Sequence, residues 1–182
     1  MNKRRVVTAA FISALLISAV AGTQFVNTAM AKTITVPDDY LTIQDAINAA
    51  SEGDTIFVRQ GNYEFPINQT LLINKTISLV AENAENTRVI LHPPLIQTWL
   101  FSQPYWTYPS PITIQANYVK LANFTFVSDG GVVSVAGDAI RIVGNAFNTG
   151  FAAIGNGTQI NGNKMTFLKL EGCPNQYLQG TI

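Results

Sequence analysis

Short segments in which apolar and polar residues alternate recur along the second half of the chain. Three of them align with each other at spacings of 21 and 18 residues: 119–126, 140–147 and 159–165. The alignment places Leu121, Ile142 and Ile160 in register and leaves polar residues such as Lys120 on the opposite side, as in half-buried strands. A period of about 20 residues, with a Gly/Asn bend between two strands, predicts a parallel β-solenoid whose stacked coils share one core.

The upstream part of the chain predicts further strands and one short helix. Residues 33–36 alternate as a strand that Pro37 ends, and the solenoid is predicted to begin at Asp54. Between about residues 42 and 51, Thr42 stands in the N-cap position before apolar residues at helical spacing. An open first coil exposes unpaired strand edges, so we expect this helix to lie across it as a cap.

The segment 92–111 interrupts the repeat and is rich in proline and aromatic residues. Proline donates no hydrogen bond to a strand ladder, so we expect this segment to leave the coil as a loop. Exposed aromatic rings stack on the apolar faces of sugars, and Tyr105, Trp106 and Tyr108 are the candidates for carbohydrate binding. The alternative is that Trp99 and Phe101 fold back and pack on the outer face of the β-helix.

Residues 1–31 have the parts of a secretory signal peptide. Three basic residues at 3–5 precede an apolar run over 6–21, and Ala29 and Ala31 supply small residues at the cleavage positions. The run is short for a membrane span, which needs about 20 apolar residues. We therefore predict cleavage after Ala31, a single β-helix domain over 32–182 without a membrane span, and an extracellular or cell-surface location. An uncleaved N-terminal anchor is the alternative.

Charge and composition exclude several functional classes. The chain has 11 Lys and Arg against 11 Asp and Glu, without the basic stripe that a nucleic-acid-binding protein shows. The single cysteine, Cys173, excludes an internal disulfide and a cysteine metal cluster. We therefore predict no nucleic-acid partner, no metal and no cofactor.

Several motifs along residues 33–165 resemble one known superfamily. The helix motif TIQDAINAA, the first-coil motif GDTIFVRQGNY and the run INKTISLVAEN are similar to the N-terminal part of pectin-lyase-like proteins, especially pectin methylesterases and surface proteins with NosD-like repeats. The resemblance implies an all-β fold, a right-handed parallel β-helix, here of about five coils. It implies no single activity, because this scaffold carries lyases, hydrolases, esterases and proteins without catalysis.

The catalytic phrases of these enzymes are missing from the chain. Pectin methylesterases carry D-F-I-F-G and G-R-P-W phrases, and polygalacturonases carry G-H-G and R-I-K motifs; none occurs here. The only histidine, His92, lies in a His-Pro-Pro sequence. Asp129, Asp138 and Arg141 are weak catalytic candidates, but two aspartates nine residues apart in such a coil lie more often on different faces than together. No catalytic residue is therefore predicted.

Several asparagines are candidates for roles other than catalysis. Asn145 and Asn163 follow a glycine at the same repeat position, and we expect their amides to stack as a hydrogen-bonded ladder. The alternative is that each simply accepts a left-handed backbone conformation. Four Asn-x-Thr sequons in an exported chain are candidate glycosylation sites: Asn68, Asn74, Asn123 and Asn156.

Two functions from different classes remain open. The favoured one is a secreted or cell-surface β-helix module without catalysis, for carbohydrate contact, adhesion or envelope structure, with a polysaccharide or glycan as partner. The alternative is a truncated or degenerate carbohydrate-active enzyme related to pectin esterases or polysaccharide lyases. Convergent carboxylates in one groove favour the enzyme, and an amide-covered face favours the module. The open C-terminal coil also suggests self-association with a second chain.

Overall fold

The alternating segments form short parallel strands that stack coil upon coil, as a computed structural model of the chain shows. The structure describes residues 30–100, 103–153, 156–170 and 177–179. Residues 1–29, which contain most of the predicted signal peptide, lie outside the described residues, so the signal peptide and its cleavage stay predictions. Within the described ranges, no helix has the length and apolar character needed to cross a membrane.

The strands form two large parallel sheets. In the described part of the chain the first sheet contains, in order, β1 (Thr33–Val36), β2 (Thr55–Val58), β5 (Ser78–Ala81), β10 (Lys120–Ala122), β13 (Arg141–Val143), β15 (Gln159–Asn161) and β17 (Tyr177–Gln179). The second sheet has two branches that meet at the long strand β14 (Ala146–Ala153). The first branch contains β3 (Gly61–Glu64), β6 (Thr87–Leu91) and β11 (Thr125–Ser128). The second branch contains β4 (Leu71–Ile73), β9 (Ile112–Ile114) and β12 (Val132–Val135), and β16 (Lys164–Leu170) pairs with the far side of β14.

The repeat alignment predicted from the sequence is confirmed by the strand register. Leu121 pairs with Ile142, which in turn pairs with Ile160. On the second sheet Phe126 pairs with Phe147, and their rings stack with centroids 5.1 Å apart. All five side chains are at most 4% exposed. They form columns in one continuous core, and the strands from β2 to β16 make the predicted five coils.

A short helix, α1 (Ile43–Ala49), lies where a helix over about 42–51 was predicted. Thr42 is its N-cap, and the hydroxyl oxygen accepts a hydrogen bond from the backbone N–H of Asp45 at 3.1 Å. The ammonium group of Lys75 donates to three carbonyl oxygens at the other end of the helix, at 3.1, 2.6 and 2.8 Å. Because the last carbonyls of a helix lack partners within it, this lysine satisfies them and ties the helix to the next coil.

The solenoid begins earlier than Asp54, where the sequence placed its start. Strand β1 pairs in parallel with β2, from Thr33 opposite Thr55 to Val36 opposite Val58. The prediction missed this pairing because α1 takes the place of the remaining strands of the first coil, so no repeat is visible there.

The insertion contains a strand pair of its own. Strands β7 (Ile96–Leu100) and β8 (Gln103–Thr107) pair antiparallel and form a separate two-stranded sheet between β6 and β9. The expectation of a loop was therefore incomplete. Pro104 lies on β8, where it is tolerated because each strand of a two-stranded sheet has one unpaired side.

Candidate functional site

Three ionisable side chains meet where the strands of the first branch end. Glu64 is the last residue of β3, His92 follows β6, and Asp129 follows β11. Nδ1 of His92 lies 2.5 Å from Oδ2 of Asp129, and its Nε2 lies 3.2 Å from Oε1 of Glu64. Because β3, β6 and β11 are adjacent parallel strands, their ends place residues that are distant in sequence in one row.

The position of His92 between two carboxylates raises its pKa. The hydrogen bond to Asp129 is the main cause, and the hydrogen bond to Glu64 is the second. The carboxylates are exposed, with side-chain exposures of 69% for Glu64 and 60% for Asp129 against 28% for His92. The cluster therefore favours an imidazolium with both N–H groups engaged, flanked by carboxylates that remain open to a ligand.

The cluster does not have the geometry of a metal site. Glu64 and Asp129 contact different nitrogens of His92, so the three groups do not converge on one point. A protonated imidazole also lacks the lone pair that a metal requires. Among the residues that the structure describes, no group of three or more His, Cys, Asp or Glu could hold a metal ion.

The returning end of the insertion packs on the turn beside Asp129. A Cβ atom at Gly130 would overlap the ring of Tyr108, and one at Gly131 would overlap the carbonyl oxygen of Pro109. Gly131 also has a φ of 81°, in the left-handed region that favours glycine. The two glycines thus let Tyr108 approach the backbone next to Asp129, while 37% of the tyrosine stays exposed.

A pocket of about 470 Å³ opens beside the cluster. It is lined by Glu64, Phe65, Pro66, Ile67 and His92. Ile67 is 77% exposed and contributes apolar surface to the pocket. The pocket therefore combines a carboxylate, an imidazolium and apolar surface, the mixture that small-ligand sites show.

Comparison with known proteins identifies the fold. No family model and no curated protein matches the chain. A solved structure of a pectin methylesterase in complex with a hexasaccharide matches with a TM-score of 0.50 and 18% sequence identity, covering 75% of this chain. The chain has the right-handed parallel β-helix fold of pectin-lyase-like proteins. It spans about half of that esterase, 54% of its length. The resemblance of the sequence motifs is thus confirmed at the level of the fold.

On this β-helix the predicted catalytic candidates lie apart. Asp129 is in the turn between β11 and β12, whereas Asp138 is in the turn between β12 and β13. Asp138 accepts a hydrogen bond from a backbone N–H of the next coil at 2.8 Å, and Arg141 donates to the side-chain oxygen of Gln159 at 3.1 Å. Asp129 contacts His92 instead. Asp129 therefore lies at a different corner of the coil from Asp138 and Arg141.

Of the three predicted carbohydrate-binding residues, the structure describes the side chain of Tyr108 alone. Tyr105 and Trp106 lie on β8, and their side chains are outside the described part of the chain. Tyr108 is described, and its ring contacts the turn at Gly130. Carbohydrate contact by these residues stays a prediction.

The sequons occupy surface turns and bends. Asn68, Asn74 and Asn156 are exposed, whereas Asn123 is half-buried and has a φ of 64°. Their glycosylation stays a prediction.

Asn145 and Asn163 lie one above the other in the interior. Nδ2 of Asn145 donates to Oδ1 of Asn163 at 3.1 Å, and Oδ1 of Asn145 accepts from the backbone N–H of Phe124 at 3.0 Å. Both asparagines are at most 2% exposed. Their amides thus supply the hydrogen bonds of buried backbone groups at the bend between the two sheets.

Sequence reasoning missed Glu64 and His92. His92 is 37 residues from Asp129 and 28 from Glu64, and neither distance matches the repeat because insertion and turn lengths differ. One signal could have found them: all three residues stand at the end of the second strand of their coil.

Proposed function

We propose that the chain is a secreted or cell-surface β-helix module that binds polysaccharide at the corner formed by Tyr108 and the Glu64–His92–Asp129 cluster. The observation that carries the proposal is the packing of Tyr108 on Gly130, which holds a partly exposed aromatic ring next to Asp129. Aromatic faces stack on sugar rings, and neighbouring charged groups hydrogen bond the sugar hydroxyls.

The charge of the cluster selects among polysaccharides. Two carboxylates and one imidazolium leave a net negative charge, and their oxygens accept hydrogen bonds from hydroxyl groups. An acidic polysaccharide would be repelled by this charge. We therefore expect a neutral glycan to bind better than a polyuronate.

Calorimetric titration of the chain with xylohexaose, cellohexaose and hexagalacturonate tests the proposal. We expect a neutral oligosaccharide to bind saturably, with an affinity about tenfold weaker in Tyr108→Ala because a stacking contact is lost. Tyr108→Phe keeps the ring and should bind nearly as the parent does. Trp106→Ala tests whether the two-stranded sheet of β7 and β8 contributes to oligosaccharide binding.

The matched control is Tyr40→Ala, because Tyr40 is also 37% exposed but lies between β1 and α1, whereas Tyr108 packs on the turn at Gly130. It should leave the affinity unchanged. No saturable heat with any of the oligosaccharides, or an equal loss in the Tyr40 and Tyr108 variants, contradicts the proposed site.

A second candidate function, cleavage of a carbohydrate, is favoured by one observation. Glu64 and Asp129 flank His92 on its two ring nitrogens, Glu64 and His92 line the pocket, and paired carboxylates are the groups that perform acid–base cleavage of glycans. Incubation with the same oligosaccharides and chromatography of the products distinguishes the two functions. Products that disappear in Asp129→Asn identify an enzyme, whereas saturable binding without products identifies the module.

A further inference from the structure

Two strand edges at the N-terminal end of the solenoid are closed by side chains. In a parallel sheet, alternate residues of an edge strand point their backbone N–H and C=O away from the neighbouring strand. On β1 the outward residue Thr35 donates its N–H to the carboxylate of Asp39 and accepts the N–H of Asp39, both at 2.7 Å. On β4 the outward residue Leu72 donates to Oε1 of Gln44 at 3.0 Å and accepts from its Nε2 at 3.2 Å. The backbone groups of Thr35 and Leu72 are thus satisfied as if a further strand were present.

Strand β3 is the outermost strand of the first branch of the second sheet, and no side chain that the structure describes bonds its free edge in this way. The N–H groups of Gly61 and Phe65 donate to carbonyls of the β6 segment at 2.8 Å. Asn62 and Glu64 therefore point their backbone groups away from β6. Within the described residues these outward backbone groups have no hydrogen-bond partner. The edge accordingly offers two N–H and two C=O groups to a ligand.

A groove of about 590 Å³ runs along this open edge. Its walls are the start of α1 on one side and residues 62–66 on the other. Leu41 lines the groove with 83% of its surface exposed. The lining residues, all within the described ranges, include the acids Asp45 and Glu64 and no lysine or arginine. The groove is therefore acidic, with an apolar wall.

We propose that the β3 edge binds an extended peptide segment of a partner protein, which adds as a further strand and places a basic side chain near Asp45 and Glu64. Main-chain hydrogen bonds supply the affinity, and Leu41 supplies an apolar contact. Strand β3 is 4 residues long, so a peptide of about four to six residues covers it.

Two other occupants fit the edge less well. A polysaccharide has no alternating amide N–H and C=O groups, so it cannot continue the ladder. A second copy of the chain would bring its own Asp45 and Glu64 to the same edge, and like charges across paired strands are destabilising.

The binding test uses the isotope-labelled full chain and two blocked hexapeptides. The first peptide alternates threonine and valine around one arginine, and the second has the same sequence with N-methyl groups on every backbone amide. We expect the first to shift the amide signals of Asn62 and Glu64 saturably. The methylated peptide should leave these signals in place because neither of its edges can donate backbone hydrogen bonds.

A pair of proline variants tests the edge from the side of the protein. Asn62→Pro removes an outward N–H without removing a ladder bond, which an edge strand tolerates, and should weaken peptide binding about tenfold. Thr33→Pro makes the same change on β1. The carbonyl of Lys32 accepts a hydrogen bond from β2, so the backbone N–H of the next residue, Thr33, points away from β2. The Thr33 variant should bind the peptide as the parent does.

Four results overturn the proposal. The first is the absence of a saturable shift with the unmodified peptide, and the second is equal binding of the methylated one. The third is an equal loss of binding in both proline variants. The fourth is a concentration-dependent shift of Asn62 and Glu64 without peptide, which would assign the edge to a second copy of the chain. The peptide comparison decides the question even where a proline variant fails to fold.

Discussion

Asn145→Ala removes the most connected amide of the interior and is expected to destabilise the chain strongly. Its Oδ1 accepts from the buried N–H of Phe124, and its Nδ2 donates to the carbonyls of Leu121 and Val143 and to Asn163 at 3.0 to 3.1 Å. Alanine leaves the N–H of Phe124 buried without an acceptor, which alone costs about 1 to 3 kcal/mol. With the donated bonds also lost, we expect the free energy of unfolding to fall by about 3 kcal/mol.

Urea unfolding of the parent and variants measures this difference, with Asn148→Ala as the matched control. Asn148 also makes two hydrogen bonds through its amide, to the N–H and C=O of Ser128 at 2.8 and 3.1 Å, but it is exposed. Water can replace those bonds, so we expect a loss of about 1 kcal/mol or less. Equal losses for the two variants, or an unchanged midpoint for Asn145→Ala, would refute the reasoning. The double variant with Asn163→Ala then measures the coupling along the ladder.

Two further predictions concern charged groups. Because the pKa of His92 is raised in the folded chain, its interaction with the carboxylates stabilises the fold fully below its ordinary pKa of about 6.5 and is lost as the pH rises through the raised value. His92→Gln should remove this part of the dependence of melting temperature on pH, and an unchanged profile would contradict it. Lys75→Met removes three hydrogen bonds to the end of α1 and should cost about 1 to 2 kcal/mol in urea unfolding. The exposed Lys164→Met is its control, and equal effects would show that Lys75 does not hold the cap.

The fold was predictable because its information is local. Leu121, Ile142 and Ile160 each stand in a short alternating segment, and burial of one side of each segment is enough to set the register of the whole column. The cap helix was predictable for the same reason, since Thr42 and the apolar residues behind it lie within two turns. The start of the solenoid was not, because β1 pairs with β2 across the helix.

The candidate site was less predictable because it depends on which strand ends are neighbours. Asp129 was a weak catalytic candidate in the sequence, but its partner was sought at Asp138 and Arg141, within the same coil or the next. Its actual partner is His92 on the preceding coil, beyond the insertion. Side chains at strand ends gain no alternation signal, so such a contact shows only when the predicted coils are aligned and their strand ends are compared.

The turn that carries Asp129 separates effects on binding from effects on stability. Ser128 is held by the amide of Asn148, its hydroxyl donates to the carbonyl of Gly130 at 2.7 Å, and the hydroxyl of Thr149 donates to the carbonyl of Gly131. These bonds fix the backbone on which Tyr108 rests, so Asn148→Ala should loosen the proposed glycan site while leaving the fold nearly as stable. Asn145→Ala should do the reverse, since its amide lies in the core at another corner of the coil. Urea midpoints and oligosaccharide affinities of both variants test this difference between binding and stability. If the affinity falls only in proportion to the loss of stability, the turn at Asp129 does not position the glycan site.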